Sequence, residues 1–204
     1  MSQVRDAEAT RRKILDAAED VFLTKGMGRS ALSEIARKAG VTKSLIHHHF
    51  GSKEGLWREV KLRRFSDYAQ RQMAMLENAS PSVDLLRDSL ALYFRFLRDN
   101  PQVIRVLAWM FLEKEPHDEA CLCLDRQLLY TGVEKLRQGQ ENGRLRDDLD
   151  PRVILFVFMA LAQHWFHDRE HMLTHFPDLA GDVDELYLKQ ATSIFLHGVS
   201  KEPN

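Results

Sequence analysis

Two groups of side chains in this 204-residue chain have types and spacing that suit chemistry. The first is the run Thr42-Lys43-Ser44-Leu45-Ile46-His47-His48-His49-Phe50, followed by Gly51-Ser52-Lys53-Glu54. Lys43 and Lys53 bring ammonium charge, and Ser33, Thr42 and Ser44 bring hydroxyls. The imidazoles of His47 and His48 donate one hydrogen bond when neutral and two when protonated. Together these groups suit phosphate oxygens and the edges of bases. Leu45 reads two ways, as a contact for a thymine methyl or as a buried side chain. The second group is His164, His167, His171 and His175 in HWFHDREHMLTH. Spacings of 3, 4 and 4 place them along one helix face, with Asp168 and Glu170 nearby. An i, i+4 pair of this kind can hold a metal. A solvated or interface face is the preferred reading of the pattern, so His164, His167 and His171 stand as an alternative reading and no metal is assigned. The three adjacent histidines cannot converge on one ion, because neighbouring helical residues diverge by about 100°.

The elements that position the first group follow from apolar spacing. Leu32, Ile35, Ala36 and Ala39 recur at helical intervals, Gly40 interrupts, and Val41, Leu45, Ile46 and Phe50 resume. Two short apolar-faced helices joined by a glycine turn predict a helix-turn-helix. Gly40 tolerates the positive φ of a sharp reversal, and Thr42 stands where an N-cap belongs. With Val41, Ile46 and Phe50 turned inward, Thr42, Lys43, Ser44, His47 and His48 are left on the open face.

From Thr10 to Trp57 the chain resembles the TetR family of bacterial transcriptional repressors. The resemblance runs through TRRKILDAAEDVF, KGMGRSALSEIARKAGV and KSLIHHHFGSKEGLW. Members usually carry a Tyr-Tyr-His-Phe-like segment before a Gly-Ser-Lys-Glu-like turn, where this chain has three histidines and Phe50. It implies an all-α fold of about nine helices, with a three-helix DNA-binding head and a helical body for ligand binding and dimerisation. It implies a homodimer that reads a palindromic operator on double-stranded DNA and responds to an unidentified small-molecule effector. Lys53 is then expected to hold a DNA phosphate together with the free N–H groups of the fourth helix. His47 and His48 replace phenols that often meet the DNA backbone in the family. Binding is therefore expected to be tighter at pH 6 than at pH 8.

Charge distribution agrees with a DNA-reading head. Residues 1–64 hold 14 Lys/Arg against 8 Asp/Glu, and the remaining residues hold 15 against 22. A basic amino-terminal third on an acidic body fits a nucleic-acid partner, with chance segregation as the plain alternative. The two cysteines, Cys121 and Cys123, are two apart on a predicted helix and point to different sides, so no disulfide is expected. The amino terminus has no signal-like apolar core, and the run Val153 to Ala162 is too short to span a bilayer. A cytoplasmic protein without membrane contact is the expectation.

Along the chain, residues 1–9 read as loose, and helix 1 as Thr10 to Lys25. Arg11, Arg12 and Lys13 would then fall in its first turn, where the helix dipole disfavours cations unless a phosphate is near. Ser30 reads as the cap of helix 2, and helix 3 as Lys43 to His49. A fourth helix follows, about residues 53–76, capped by Ser52. It joins a DNA-binding domain, 1–52, to a body, 53–204. Ser80-Pro81 and Asn100-Pro101 each read as cap plus first helical residue. Helix 7 is expected over Asp118 to Asn142 and helix 8 from Pro151. Helix 9 is expected to open on a capping box of Asp182 and Glu185 and to stop at Gly198.

In the body, Phe94, Trp109, Phe111 and Tyr130, with Tyr93 and Phe96, read as ligand-cavity lining or as ordinary core. Helix 8 is apolar on more than one side, and helix 9 can cover only one of them. Phe156, Met159, Trp165, Phe166, Leu186, Ile194 and Phe195 are therefore assigned to a four-helix dimer interface. No Gly-rich phosphate loop, nucleophile elbow or HExxH motif occurs. No enzyme and no cofactor are expected; the alternative is a metal-responsive sensor or enzyme using the His164 to His175 face.

Overall fold

The computed structural model describes residues 2–113, 126–179 and 181–201. Among them lie nine α-helices: α1 (Ser2–Lys25), α2 (Leu32–Ala39), α3 (Lys43–Phe50), α4 (Lys53–Asn78), α5 (Val83–Asp99), α6 (Pro101–Glu113), α7 (Arg126–Glu141), α8 (Pro151–His175) and α9 (Val183–Val199). The described residues form no strand beyond an isolated bridge between Leu145 and Ser200. No helix among them is long and apolar enough to cross a membrane. Packing divides the chain into Met1–Ser66 with Arg105–Cys123, and Asp67–Ile104 with Leu124–Asn204. Two of the three boundaries fall inside helices, α4 and α6, and the third lies outside the described residues.

In the first unit, an apolar stripe on α1 (Ile14, Ala18, Phe22) meets Ile35 of α2, Ile46 of α3 and Leu56, Trp57 and Val60 of α4, all buried. Phe22 and Trp57 pack edge to face at 5.1 Å. Charge reinforces this core. The buried Glu19 carboxylate is gripped by Arg63 and Arg64 of α4, and Arg63 also reaches Asp16 at 2.7 Å. Lys25 pairs with Glu34 at 2.6 Å, fixing the end of α1 to α2. That ammonium holds the Glu34 carboxyl below the usual carboxylate range.

Two expectations for this unit need correction. Helix α1 starts at Ser2, so residues 2–9 are helical rather than loose. Ala7, Glu8 and Ala9 favour helix, and the Thr10 hydroxyl bonds back to the Asp6 carbonyl at 2.8 Å instead of capping. Arg11, Arg12 and Lys13 consequently lie well inside the helix, and the first-turn dipole argument does not apply to them. Ser30 does not cap α2. Ala31 occupies that position without a side-chain bond, while the buried Ser30 hydroxyl donates to the Gly26 carbonyl.

In the second unit, Leu90, Tyr93, Phe94 and Leu97 of α5 are buried. Tyr68 of α4 stacks on Phe96 at 4.9 Å. Trp165 of α8 stacks on Tyr187 of α9 at 4.2 Å, and its indole N–H donates to Asp184 at 2.8 Å. The cap of α5 is Ser82, accepting from the Leu85 N–H at 3.1 Å, and not Ser80 with Pro81. Asn100 ends α5, its side chain donating to the Phe96 carbonyl, while Pro101 opens α6. Asp150 caps α8 ahead of Pro151. Asp182 caps α9 through the Glu185 N–H at 3.1 Å, but the Glu185 carboxylate turns to Arg98 at 2.8 Å. Gly198 lies inside α9 and does not stop it. The helix continues because Val199 is buried and its carbonyl accepts from the Arg146 N–H at 2.9 Å. The expected part of helix 7 before Arg126, with Cys121 and Cys123, lies outside the described residues.

Candidate nucleic-acid interface

The turn between α2 and α3 is built from local hydrogen bonds. Gly40 adopts φ 67°, ψ 34°. The Val41 N–H reaches the Ala36 carbonyl at 3.0 Å and the Gly40 N–H reaches Arg37 at 3.3 Å. This pair of bonds is a Schellman motif, which satisfies the last carbonyls of α2 while reversing the chain. Thr42 then caps α3, its hydroxyl accepting from the Leu45 N–H at 3.3 Å. Ile46 and Phe50 are buried and Val41 and Leu45 half-buried, while Thr42, Lys43, Ser44, His47 and His48 are exposed. Ser33 is exposed on α2. Leu45 is thus partly packed and partly open.

Lys43 stands at the first position of α3 with no ion-pair partner among the described residues. The first N–H groups of a helix attract anions, and an ammonium beside them adds to that pull. His47 has one ring nitrogen committed, its Nδ1 lying 2.9 Å from the Gly51 carbonyl. A carbonyl only accepts, so Nδ1 carries the proton. The Nε2 of a neutral His47 is then an acceptor, and it becomes a donor only on protonation.

The link from α3 to α4 is tighter than the sequence suggests. Gly51 adopts φ 74°, ψ −61°, and the Ser52 N–H donates to the Phe50 carbonyl at 2.8 Å. This is a γ-turn of the strained positive-φ kind, and glycine is the residue that tolerates it. Ser52 caps α4 through the Gly55 N–H at 3.0 Å. Lys53, half-buried, donates to the Ser30 carbonyl at 3.2 Å, leaving two of its three N–H donors for other partners. The Glu54 carboxyl is held below its usual range, first by its own backbone N–H and then by the Ser52 hydroxyl. An anion at this helix end therefore meets the neighbouring Glu54 charge as well as Lys53. Gly55 is a site residue that apolar spacing does not reveal. A Cβ there would stand 2.3 Å from the Phe50 carbonyl oxygen, and the available signal was a glycine inside a helix, which costs about 1 kcal/mol unless packing requires it.

The aromatic residues expected around a ligand are not gathered at one cavity. Phe94 is buried against Phe166 and Tyr187, Trp109 donates to the Leu23 carbonyl at 3.3 Å, and Phe111 and Tyr130 are exposed. A cavity of about 60 Å³ does lie within the second unit, walled mainly by leucines with Tyr68, Gln72, Ser89, Phe158 and Met159. Burial pushes the Tyr68 phenol well above its ordinary range, so it stays neutral. Gln72 is buried; its Nε2 donates to Ser89 at 2.8 Å, and its Oε1 has no partner among the described residues. A buried amide oxygen left unpaired costs about 1–3 kcal/mol. Its sequence signal was a polar residue on the apolar stripe of Phe65, Tyr68 and Leu76.

The residues assigned to a dimer interface separate into two sets. Trp165 and Phe195 are buried within the chain, Phe166 packs on Phe94, and Met159 lines the cavity, so these four do not form an open face. Phe156 is 68% exposed, Ile194 75% and Leu186 37%, and Val153 and Val157 of α8 are exposed beside Phe156. His164 and His167 continue the same side of α8. His164 lies 3.0 Å from Asp168, and the rings of His171 and His175 meet edge to face at 4.6 Å. No three histidine, cysteine or carboxylate side chains among the described residues are grouped to hold a metal.

An all-helical chain presenting a capped polar helix after a Schellman turn has the build of a helix-turn-helix regulator. The family model for bacterial regulatory proteins of the tetR family matches residues 14–60, and that for the tetracyclin repressor-like C-terminal domain matches residues 90–185. The chain belongs to the TetR family of transcription regulators. It is 29% identical over 163 residues to the HTH-type transcriptional repressor SCO4008 of Streptomyces coelicolor, covering 78% of this chain and 79% of that protein. It is 26% identical over 204 residues to the repressor NicS of Pseudomonas putida, covering 97% and 92%. The fold is shared with the transcriptional regulator SCO4942 of Streptomyces coelicolor, at a TM-score of 0.71 and 20% identity over 94% of this chain and 99% of that one. The fatty acid degradation regulator FadR of Bacillus halodurans shares it too, at a TM-score of 0.64 and 21% identity over 92% and 98%. Relatives and fold are those of transcription regulators and not of enzymes, which sets aside the enzyme alternative.

Proposed function

We propose that this protein is a repressor that binds a palindromic operator on double-stranded DNA as a homodimer and leaves it when a small molecule enters the body. The observation that carries this reading is the exposed face of α3, where Lys43, Ser44, His47 and His48 stand together on a helix anchored by Ile46 and Phe50. Ser33, Thr42, Leu45 and Lys53 border that face. Residues 1–52 act as the reading head and residues 53–204 as the ligand-binding and dimerisation body, with α4 as the connector.

The second copy covers the apolar side of α8 and α9 carrying Phe156, Val157, Leu186 and Ile194, since a large exposed apolar patch seeks a partner. Two heads then meet two half-sites of a palindrome. The effector occupies the cavity beside Gln72. Because α4 carries both Gln72 and Lys53, a ligand that favours one placement of this helix biases DNA affinity by its differential binding to the two states. The protein works in the cytoplasm, without membrane or metal.

Selection of bound sequences from a random duplex library, followed by binding to the winner across a salt series, tests the reading. A palindromic winner whose affinity falls steeply with salt is expected. Failure to enrich any sequence from the ligand-free protein would overturn it.

A further inference from the structure

The body cavity is lined mainly by apolar side chains, and among its polar ones Gln72 has a buried hydrogen-bonding atom with no partner among the described residues. The Gln72 amide is 5% exposed and lies on the cavity wall. Its Nε2 donates to Ser89, whose hydroxyl in turn points at the Met75 sulfur at 3.5 Å. Turning the amide over would take the Ser89 hydrogen away from Met75 and leave Nε2 without its bond, so the orientation that uses more of the donors leaves Oε1 as the open acceptor. Resting on the reading that this cavity takes the effector, we propose that Gln72 sets the effector's chemistry. The ligand is a neutral, largely apolar molecule whose buried end carries one N–H or O–H donor for Gln72 Oε1.

Charge on the wall disfavours a cation, and Gln72 disfavours an anion beside it. Among the described residues no aspartate or glutamate lines the cavity; its one lysine, Lys135, donates to the Ala79 carbonyl at 3.0 Å and keeps two N–H donors. An ammonium ligand would lose its hydration with no carboxylate to replace it. A carboxylate placed at Gln72 would set its lone pairs against Oε1. A water would satisfy Oε1 but turn its remaining hydrogen-bonding capacity toward leucine side chains such as Leu76, Leu85 and Leu136. A single donor on an apolar body satisfies both the amide and the walls.

Pyrrole and furan are five-membered rings of nearly equal size that differ in donor and acceptor, and they suit a cavity of about 60 Å³. Titration of the intact protein with each, read by chemical shifts in the nuclear magnetic resonance spectrum, is the test. Pyrrole is expected to bind at least about tenfold tighter than furan, because furan brings an oxygen lone pair to an unpaired acceptor. In Gln72→Met the preference should vanish, with furan binding as well as pyrrole. Equal binding in the parent, or a pyrrole preference that survives in Gln72→Met, overturns the role of Gln72 and leaves the cavity as effector site intact. Binding of neither ring overturns both.

Discussion

Substituting Gly55 by alanine sets two opposed effects against each other. Alanine in a helix is normally about 1 kcal/mol better than glycine, so a helix-only argument expects stabilisation. Packing argues the reverse. The added Cβ would stand 2.3 Å from the Phe50 carbonyl oxygen and 3.5 Å from the carbonyl carbon. An ordinary carbon–oxygen contact is about 3.3 Å, so the end of α3 and the start of α4 must separate by roughly 1 Å. The carbonyl cannot swing aside, because it accepts the Ser52 N–H at 2.8 Å in the γ-turn at Gly51 and belongs to the buried Phe50. Forcing atoms into a close-packed site costs about 1–3 kcal/mol. The clash therefore outweighs the helix gain, by roughly 1 kcal/mol at mid-range. In a chain of this size that lowers Tm by about 2–4 °C, and operator affinity falls further because α3 itself is displaced. Gly132→Ala in α7 is the control. Its nearest atoms, on Leu155, are 3.7 Å away, an ordinary contact, so the helix gain survives and Tm rises. Circular dichroism melts and fluorescence anisotropy on the selected operator read both quantities. A Gly55→Ala protein with raised Tm and unchanged operator affinity would refute the argument that the Phe50 carbonyl requires glycine at this position.

Three further outcomes follow from the same geometry. Lys43→Ala should weaken binding across all sequences and reduce the magnitude of the slope of log K against log salt by about 0.9 for each phosphate that Lys43 neutralises; an unchanged slope would place Lys43 away from the DNA backbone. His47→Phe, which removes from the exposed face of α3 the ring whose Nδ1 is held by Gly51, should weaken operator binding, and an unchanged affinity would place His47 away from the DNA. Phe156→Glu places a charge on the exposed side of α8 and should convert a sedimenting dimer to a monomer, whereas a variant that stays dimeric would move the interface elsewhere.

What the sequence made legible was the local chemistry. The Gly40 turn and the Thr42 cap depend on residues within six positions of one another, and both are present as expected. Where a side chain had a distant or deeper partner, the local rule failed. Ser30 has the chemistry of a cap, yet its buried hydroxyl is drawn back to the Gly26 carbonyl just after α1, a partner deeper rather than farther away. Gly198 has the look of a stop, yet the chain from Val199 to Lys201 is held by Arg146 and Arg144 through backbone bonds at 2.9 and 3.1 Å. Gln72 carried a readable signal as a polar residue on a buried stripe, but which of its atoms stays unpaired depends on Ser89, seventeen residues away.

Helix α8 shows the limit of pattern reading most clearly. Apolar on more than one side, it had to be covered twice, and its sequence alone could not say which side its own chain would take. The chain buries Ile154, Phe158, Ala162 and Trp165, a stripe at i, i+4, i+8 and i+11. That choice is fixed by non-local chemistry, since the Trp165 indole needs a hydrogen-bond partner when buried and Asp184 of α9 supplies it at 2.8 Å. With Trp165 committed inward, helical geometry turns Val153, Phe156 and Val157 outward. The Trp165 ring is therefore turned into its own chain, and the side of α8 left for the proposed second copy is the one centred on Phe156.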